Sequence, residues 1–236
     1  MRPAMDIMCK LFEQETGIQV EMNYNDSGAI ITAIETTGKG DACIVHDPFP
    51  ADMEKKGWVD RAYTVATLTP VIAVKKGNPK AIHSLTDLLR PDVRVGLTDK
   101  LYSTGGQVAA SLFQQAGIAE GMDAKEKDII RTRGSGELAN AVSIGTLDAA
   151  LAWNAVVFSR KDTLEAIPIQ TGHMPTTKVV FLTLKRSANA EAVRKFAALA
   201  NSARGREIFL KLGFSAPPAA VQAPLDAEVI IKNTVY

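Results

Sequence analysis

The most restrictive feature of the sequence is a repeated order of short apolar strand, polar loop and amphipathic helix. Apolar segments at residues 42–45 and 93–97 have the length of buried strands, and Ile129 and Ile130 mark a further short strand. A segment with helical spacing follows each of the three. Strands that alternate with helices predict an α/β fold with largely parallel sheets. A chain of 236 residues, 46% of them apolar, suffices for one large domain or two lobes.

The predicted elements follow from these patterns along the whole chain. Helices are predicted from Pro3 to the stop at Gly17 and at residues 29–37, 50–56, 84–90, 107–116, 137–144, 191–201 and 204–212. Strands are predicted at residues 18–24, 42–45, 68–74, 93–97, 129–130, 149–153 and 178–184, and the tail after Gly213 is expected to wrap the surface.

Two long strands are the predicted connections between lobes. Residues 68–74 contain Pro70, and proline inside a strand favours a sheet edge or a crossing point. Crossings near 66–70 and 175–179 would assign residues 1–68 and 178–236 to one lobe and residues 69–177 to a second lobe. The predicted fold class is therefore α/β, with two parallel or mixed sheets, flanking helices and a central cleft.

The charge balance limits the partners of the chain. Lys and Arg total 27 against 26 Asp and Glu, so there is no overall basic field for nucleic acid or an acidic membrane. No apolar run approaches the roughly 20 residues that a membrane-spanning helix needs. Cys9 and Cys43 lie in apolar patterns without a CxxC or a Cys/His cluster, which argues against zinc. Two buried free thiols are expected, with a disulfide as the alternative.

Signatures of catalysis are weak in this sequence. It contains no GxSxG, HExxH or Walker motif, and its three histidines are scattered. His46 and Asp47 could form a general-base pair, but no nucleophile is near them in sequence, and a satisfied loop pair is the favoured interpretation. No enzyme activity and no cofactor are predicted.

Three short loops carry a stronger signal for ligand binding. Ser27-Gly28, Ser103-Thr104-Gly105-Gly106 and Ser135-Gly136 each precede a predicted helix. Such loops offer free N–H groups and a hydroxyl at a helix N-terminus, where the helix dipole also favours an anion. Serine, threonine and glycine are equally the ordinary N-cap residues of α/β proteins. The loops would form an anion site only if two or more of them face one cleft.

Several segments resemble the substrate-binding receptors of molybdate and tungstate ABC transporters. The resemblance runs in order over about 210 residues. Its motifs are RPAMD at residues 2–6, TGIQV at 16–20, SG at 27–28, KGDA at 39–42, VIAVKKGNP at 71–79, SLTDL at 84–88 and GREIFLKLGF at 205–214. The VIAVKKGNP, SLTDL and GREIFLKLGF segments are typical of type II periplasmic binding proteins, and the first helix with Ser27 narrows the resemblance to the oxyanion branch.

The resemblance implies a two-lobe type II periplasmic binding protein fold with the ligand between the lobes. Its ligand contacts fall at Ser27, at the Gly105 backbone, near Leu138 and at Trp153, where family members often have tyrosine. The expected ligand-binding set, with flanking loop residues and Arg2 at the mouth of the cleft, is Arg2, Ser27, Gly28, Ser103, Thr104, Gly105, Gly106, Gly136, Glu137, Leu138 and Trp153. Tyr102 is a further candidate.

Two departures from the family pattern affect this expectation. The first-loop serine of the family would fall just before Met1, so that contact is absent or replaced by backbone N–H groups ahead of Pro3. Because the chain opens on a helix, where α/β domains usually place a strand first, we expect that a signal peptide and the first strand are missing from it. Glu137 would repel a dianion unless its carboxylate points away.

The expected function is an extracytoplasmic, periplasmic receptor that binds tungstate or molybdate and delivers it to a membrane permease. It is expected to be a monomer with no chemical step. A small organic acid or a phosphate ester is the alternative ligand for the same fold. An effector-binding domain of a regulator is the alternative from another class, and an enzyme at His46 and Asp47 ranks last.

Overall fold

The computed structural model describes residues 1–25, 27–101 and 103–217 of the chain. Asp26, Tyr102 and residues 218–236 lie outside the described residues, and with them the candidate Tyr102 and most of the predicted C-terminal tail. The described part forms two β-sheets with helices packed on both, which confirms the α/β class with two flanked sheets.

The first sheet has three strands in the order β1 (Ala42–His46), β8 (Thr177–Leu184) and β2 (Val59–Leu68). Both of its pairings are antiparallel. Strand β8 lies in the centre, and it is buried at every position except Lys178. The helices packed around this sheet are α1 (Arg2–Thr16), α2 (Ser27–Thr37), α3 (Phe49–Lys55), α8 (Ala190–Asn201) and α9 (Ala203–Lys211).

The second sheet is mixed. Its strands follow the order β5 (Ile130–Thr132), β4 (Val95–Thr98), β6 (Ala149–Trp153), β3 (Pro70–Lys75) and β7 (Leu164–Pro168). Strand β4 pairs in parallel with β5 and β6, whereas β3 pairs antiparallel with β6 and β7. The expectation of largely parallel sheets was therefore wrong in detail. The helices around the second sheet are α4 (Thr104–Gln115), α5 (Ala119–Ala124), α6 (Ser135–Ser143) and α7 (Asn154–Phe158). Two 3-10 turns lie at Leu85–Leu89 and Glu126–Asp128.

A single residue, Thr69, separates β2 of the first sheet from β3 of the second. The strand predicted over residues 68–74 agrees with β3 from Pro70 onward, but Leu68 belongs to β2, because the chain changes sheets at Thr69. Pro70 is the first residue of β3, a position where proline is tolerated within a sheet.

Polar side chains fix the Thr69 junction. Asn154 Oδ1 accepts a 3.0 Å hydrogen bond from Thr69 N, and Asn154 Nδ2 donates to Ser215 Oγ at 3.0 Å. The hydroxyls of Thr69 and Ser215 are also 3.0 Å apart. The junction therefore joins the start of α7 to the segment that follows α9.

The predicted strand at residues 18–24 is absent. Ile18, Val20, Met22 and Tyr24 do pack against the core beside the first sheet, which explains their alternation, but their backbone joins no sheet. The Val20 N–H instead donates to Glu13 Oε1 at 2.7 Å. Alternation therefore identified an extended, half-buried segment and not a paired strand.

Candidate functional site

A small pocket lies where β4 and β6 end and where α4 and α6 begin. Its volume is about 260 Å³ including the opening to solvent. Because β4 and β6 are parallel, their carboxyl ends meet at one edge of the sheet, a common position for ligand sites in α/β proteins. The described residues that line it are Pro70, Thr98, Gly105, Val108, Ala109, Leu112, Ser135, Leu151, Ala152 and Trp153, and none of these has a charged side chain.

Helix α4 brings its first turn to the pocket. Ser103 is the N-cap, and its hydroxyl accepts a 3.2 Å hydrogen bond from Gly105 N, while Gly106 N donates to Ser103 O at 3.1 Å. Helix α4 thus begins three residues earlier than predicted, since Thr104, Gly105 and Gly106 are helical. A Cβ on Gly106 would lie 2.5 Å from Lys100 N, so glycine permits this close approach of helix and loop.

Helix α6 forms another wall of the pocket. It begins at Ser135, with Gly134 as N-cap, and the Thr132 hydroxyl donates to Gly134 O at 3.0 Å. Among the expected residues here, Gly136 is half-buried and Glu137 is exposed to solvent. Leu138 is fully buried, and its side chain packs in the core against Gly96. Any contact of Leu138 with a ligand would therefore have to come from its backbone.

Trp153 lies between the pocket and the core of the first sheet. It is 9% exposed at the end of β6, and it belongs to the same apolar cluster as Met5 and Phe209 of α1 and α9. The same cluster includes buried residues of β2 and β8 in the first sheet. Trp153 also lines the pocket, where a bound ligand would meet it.

Thr104 also connects the second sheet to the first. Its hydroxyl donates a 3.0 Å hydrogen bond to the carbonyl of Asp47, the residue that follows β1. The N-terminus of α4 therefore lies against the end of the first sheet.

The structure does not place all the expected residues at this pocket. Ser27 is the first residue of α2 and is 9% exposed, and Gly28 is exposed, but neither lines the pocket. Arg2 is exposed, with its guanidinium 4.5 Å from the centre of the Tyr24 ring. The Tyr24 hydroxyl donates to Asp6 Oδ1, and burial followed by this hydrogen bond raises the pKa of Tyr24. The roles of Ser27, Gly28 and Arg2 in ligand binding stay predictions.

Eight of the ten lining residues were not among the expected ligand contacts. Two of the eight, Thr98 and Ser135, carry hydroxyl groups, and Ser135 was noted only as part of its loop. The available signal for Thr98 was its position as the polar residue that directly follows the apolar run Val93–Leu97. Such a residue at the carboxyl end of a parallel strand faces the same edge as the loops that follow.

His46 and Asp47 form a structural pair. His46 Nδ1 is 2.9 Å from the Asp47 carbonyl, and Asp47 Oδ2 accepts a 2.9 Å hydrogen bond from Lys178 N. The Asp47 carboxylate thus fixes the backbone of β8, and its geometry gives no support to the general-base interpretation.

Neither cysteine is poised for chemistry. Cys9 and Cys43 are free thiols, and burial is the first cause that raises their pKa values to about 11 and about 12. Among residues 1–25, 27–101 and 103–217, no group of three or more histidine, cysteine or acidic side chains could hold a metal ion. The same residues include no helix that is long and apolar enough to span a membrane.

Comparison with known proteins identifies the family. The model of the bacterial extracellular solute-binding proteins matches residues 1–215, and the chain belongs to this family. It is a family of solute-binding proteins and not of enzymes, in agreement with the expectation from the sequence. The chain is accordingly a bacterial extracellular solute-binding protein.

Individual relatives are distant. The molybdate-binding protein ModA of Mycobacterium tuberculosis is 25% identical over 205 residues, which cover 85% of this chain and 75% of ModA. The resemblance to molybdate-binding receptors is thus confirmed at the level of distant homology.

Solved structures share the fold. PEB3 with bound L-phospholactate has a TM-score of 0.74 at 18% identity, covering 91% of this chain and 95% of PEB3. The periplasmic molybdate-binding protein of Azotobacter vinelandii has a TM-score of 0.71 at 14% identity, covering 92% and 95%. At these identities the likeness concerns the fold alone.

Proposed function

We propose that this protein binds a tetrahedral oxyanion, molybdate or tungstate, in the pocket at the ends of β4 and β6. One observation carries the proposal: Gly105, Ser135 and Trp153, from three separate segments, line one small pocket. None of the described residues that line this pocket has a charged side chain. A small volume suits a compact ligand better than a drug-sized one. Two helices of 12 and nine residues begin at its edge, where their dipoles favour negative charge.

The neutral lining bears on how the anion would be held. Burial of a dianion is costly unless its oxygens accept hydrogen bonds. Hydroxyl groups, the Trp153 indole and the first N–H groups of α6 can donate without adding charge. Selectivity would then come from cavity size and from the positions of the donors.

We further propose that the two sheets belong to two lobes that close on the ligand. Residues 1–68 and 178–236 would form one lobe and residues 69–177 the other, with Ser27 contributing from the first lobe on closure. The ligand would select the closed state through its extra contacts there. A monomeric receptor outside the cytoplasmic membrane would deliver the anion to a membrane permease of an ABC transporter.

Calorimetric titration with molybdate, tungstate, sulfate and citrate tests the proposed ligand. We expect tight binding of molybdate or tungstate and weak binding of citrate. Elemental analysis of the purified protein gives a second measurement, since a tight ligand is retained. Binding of citrate with no response to molybdate or tungstate would replace the oxyanion with the alternative, a small organic acid.

The role of Ser27 is tested separately. Ser27→Ala should weaken molybdate binding by about 1–3 kcal/mol, the cost of an acceptor left without its donor. Ser111→Ala, on the far part of α4, is the matched control. Equal affinity of Ser27→Ala and wild type would remove Ser27 from the site.

A further inference from the structure

Thr98 carries a hydroxyl that borders the pocket and makes no side-chain hydrogen bond within the described chain. The residue as a whole is 3% exposed and lies at the end of β4. Its main-chain carbonyl is engaged, because it accepts a 3.1 Å hydrogen bond from Arg131 Nη1. Among the described residues, Arg206 Nε is the one fully enclosed side-chain nitrogen or oxygen that lacks a partner, so Thr98 Oγ1 is reached from the pocket. The hydroxyl is therefore free to donate to a molecule in the pocket.

The free space beside this hydroxyl is part of the pocket. Thr98 lines the pocket together with Gly105 and Trp153. A Cβ placed on Gly105 would lie 2.9 Å from Thr98 Oγ1 and 3.8 Å from Trp153 Cζ2. Any larger residue at position 105 would thus fill the gap between the hydroxyl and the indole. Glycine at this position keeps that gap open.

We propose that the Thr98 hydroxyl donates a hydrogen bond to an oxygen of the bound anion, in the space that Gly105 leaves open. This inference rests on the proposed function, because it takes the occupant of the pocket to be an anion. It adds a ligand contact that comes from the end of a strand, whereas the contacts expected at α4 and α6 come from helix N-termini. A neutral hydroxyl fits the absence of charge from the described lining.

Thr98→Val is the decisive variant, because valine keeps the shape of threonine and removes the hydroxyl. A hydrogen bond to a charged ligand is worth about a 10- to 100-fold change in affinity, so Thr98→Val should weaken anion binding by that factor. The same variant should not lower the Tm of the ligand-free protein, since the hydroxyl makes no hydrogen bond within the described chain. Thr98→Ser keeps the hydroxyl and should retain most of the affinity.

Thr183→Val is the matched control. Thr183 is also 3% exposed and lies in a strand, but its hydroxyl accepts a 3.0 Å hydrogen bond from Arg61 N far from the pocket. Its replacement should lower the Tm and leave the affinity unchanged. Thr98→Val should therefore change the affinity and not the Tm, whereas Thr183→Val should change the Tm and not the affinity. A Thr98→Val protein that behaves like Thr183→Val would show that Thr98 has a structural role only.

Gly105→Ala tests the space itself. The added methyl would crowd Thr98 Oγ1, so it should weaken anion binding at least as much as Thr98→Val does. Gly172→Ala is the control, because a Cβ there meets no atom within 4 Å. Gly105→Ala with wild-type affinity would contradict the proposed position of the ligand oxygen.

The wild type and Thr98→Val are each titrated with molybdate, tungstate, sulfate and citrate. If the wild type binds molybdate or tungstate and Thr98→Val binds it equally well, the Thr98 inference fails while the proposed function stands. If the wild type binds citrate alone, the oxyanion function fails, and the citrate affinity of Thr98→Val still decides the role of Thr98. A wild type that binds none of the four overturns both.

Discussion

The hydroxyl of Thr104 and the carbonyl of Asp47 are joined by a 3.0 Å hydrogen bond. Thr104 begins α4 beside the second sheet, and Asp47 follows β1 of the first sheet. Asp47 is itself bound to β8, because its N–H donates to Lys178 O at 3.2 Å and its carboxylate accepts from Lys178 N. The bond therefore links the start of α4, beside the second sheet, to β1 and β8 of the first sheet.

Removal of this link should affect ligand release. Thr104→Val loses the hydroxyl, which contributes about 0.5–1.5 kcal/mol to the arrangement in which the two sheets are in contact. We expect molybdate to dissociate about 2- to 10-fold faster, since changes in affinity among variants of one site are mostly changes in dissociation rate. Stopped-flow fluorescence measures this rate, with Thr104→Ser as the control. Identical dissociation rates for Thr104→Val and wild type would contradict a role for the bond.

The hydrogen bonds of Asn154 at the Thr69 junction should contribute to the stability of the protein. Asn154→Asp keeps the Oδ1 acceptor for Thr69 N and loses the donor to Ser215 Oγ, whereas Asn154→Leu loses both. We expect stability to fall in the order wild type, Asp variant, Leu variant, with a total loss of about 2–4 kcal/mol for the two hydrogen bonds and the groups left unpaired. Chemical denaturation measures the order. Equal stability of the three proteins would show that the junction does not depend on Asn154.

Ligand binding should change the fluorescence of Trp153. The chain has two tryptophans: Trp153 lines the pocket, while Trp58 lies between Lys56 and Arg186 with cation–ring distances of 4.7 and 5.2 Å. A titration of Trp58→Phe with molybdate should keep the signal of the wild type, and Trp153→Phe should lose it. A Trp153→Phe protein with the full signal would assign the change to Trp58 and argue against the pocket as the binding site.

Stability should depend on pH through Asp148. Its carboxylate accepts hydrogen bonds from Arg94 Nε, Nη2 and N at 3.0, 2.8 and 2.9 Å, and the Arg94 guanidinium is the first cause that lowers the pKa of Asp148. A carboxyl group with a lowered folded pKa stabilises the protein above its ordinary value near 4, and this stabilisation disappears as the pH falls through the folded value.

Asp148→Asn should therefore lose about 1–2 kcal/mol at pH 7 and show a flatter pH dependence below pH 5. Glu191→Gln is the control, because Glu191 pairs with Lys195 on an exposed helix surface, where such a pair contributes little. Urea denaturation at pH 7, 5 and 3 measures both. A wild type and an Asp148→Asn protein with parallel pH curves would contradict the assignment.

The sequence predicted the α/β class and most of the elements with a clear hydrophobic period. Strands β1, β6 and β8 and the helices α1, α8 and α9 lie within a few residues of their predicted bounds. Strands β2 and β7 were missed, since Val59–Tyr63 and Glu165–Pro168 mix exposed and partly buried residues and carry little apolar signal. The sequence also did not predict which strands pair in parallel and which pair antiparallel. The direction of a strand depends on where the chain re-enters the sheet.

The residues of the candidate site were also predicted only in part from the sequence. Gly105 and Trp153 were named from the family resemblance, and the structure brings them to one pocket. The start of α4 was misplaced because two adjacent glycines normally end or weaken a helix. Here Gly106 is required by the backbone of Lys100, a contact between segments that no local pattern contains. Thr98 was missed for the same reason, since only the fold brings the end of β4 beside Gly105.

The uncharged lining has a consequence for the conditions under which the protein works. None of the described residues around the pocket gains or loses a proton near neutrality. Capture should thus proceed equally well in mildly acidic and mildly alkaline surroundings, with any variation arising from protonation of the solute itself. Proteins of an extracellular family work in a medium whose pH the cell does not buffer. An affinity that does not change with pH is there an advantage over a site built on histidine or lysine.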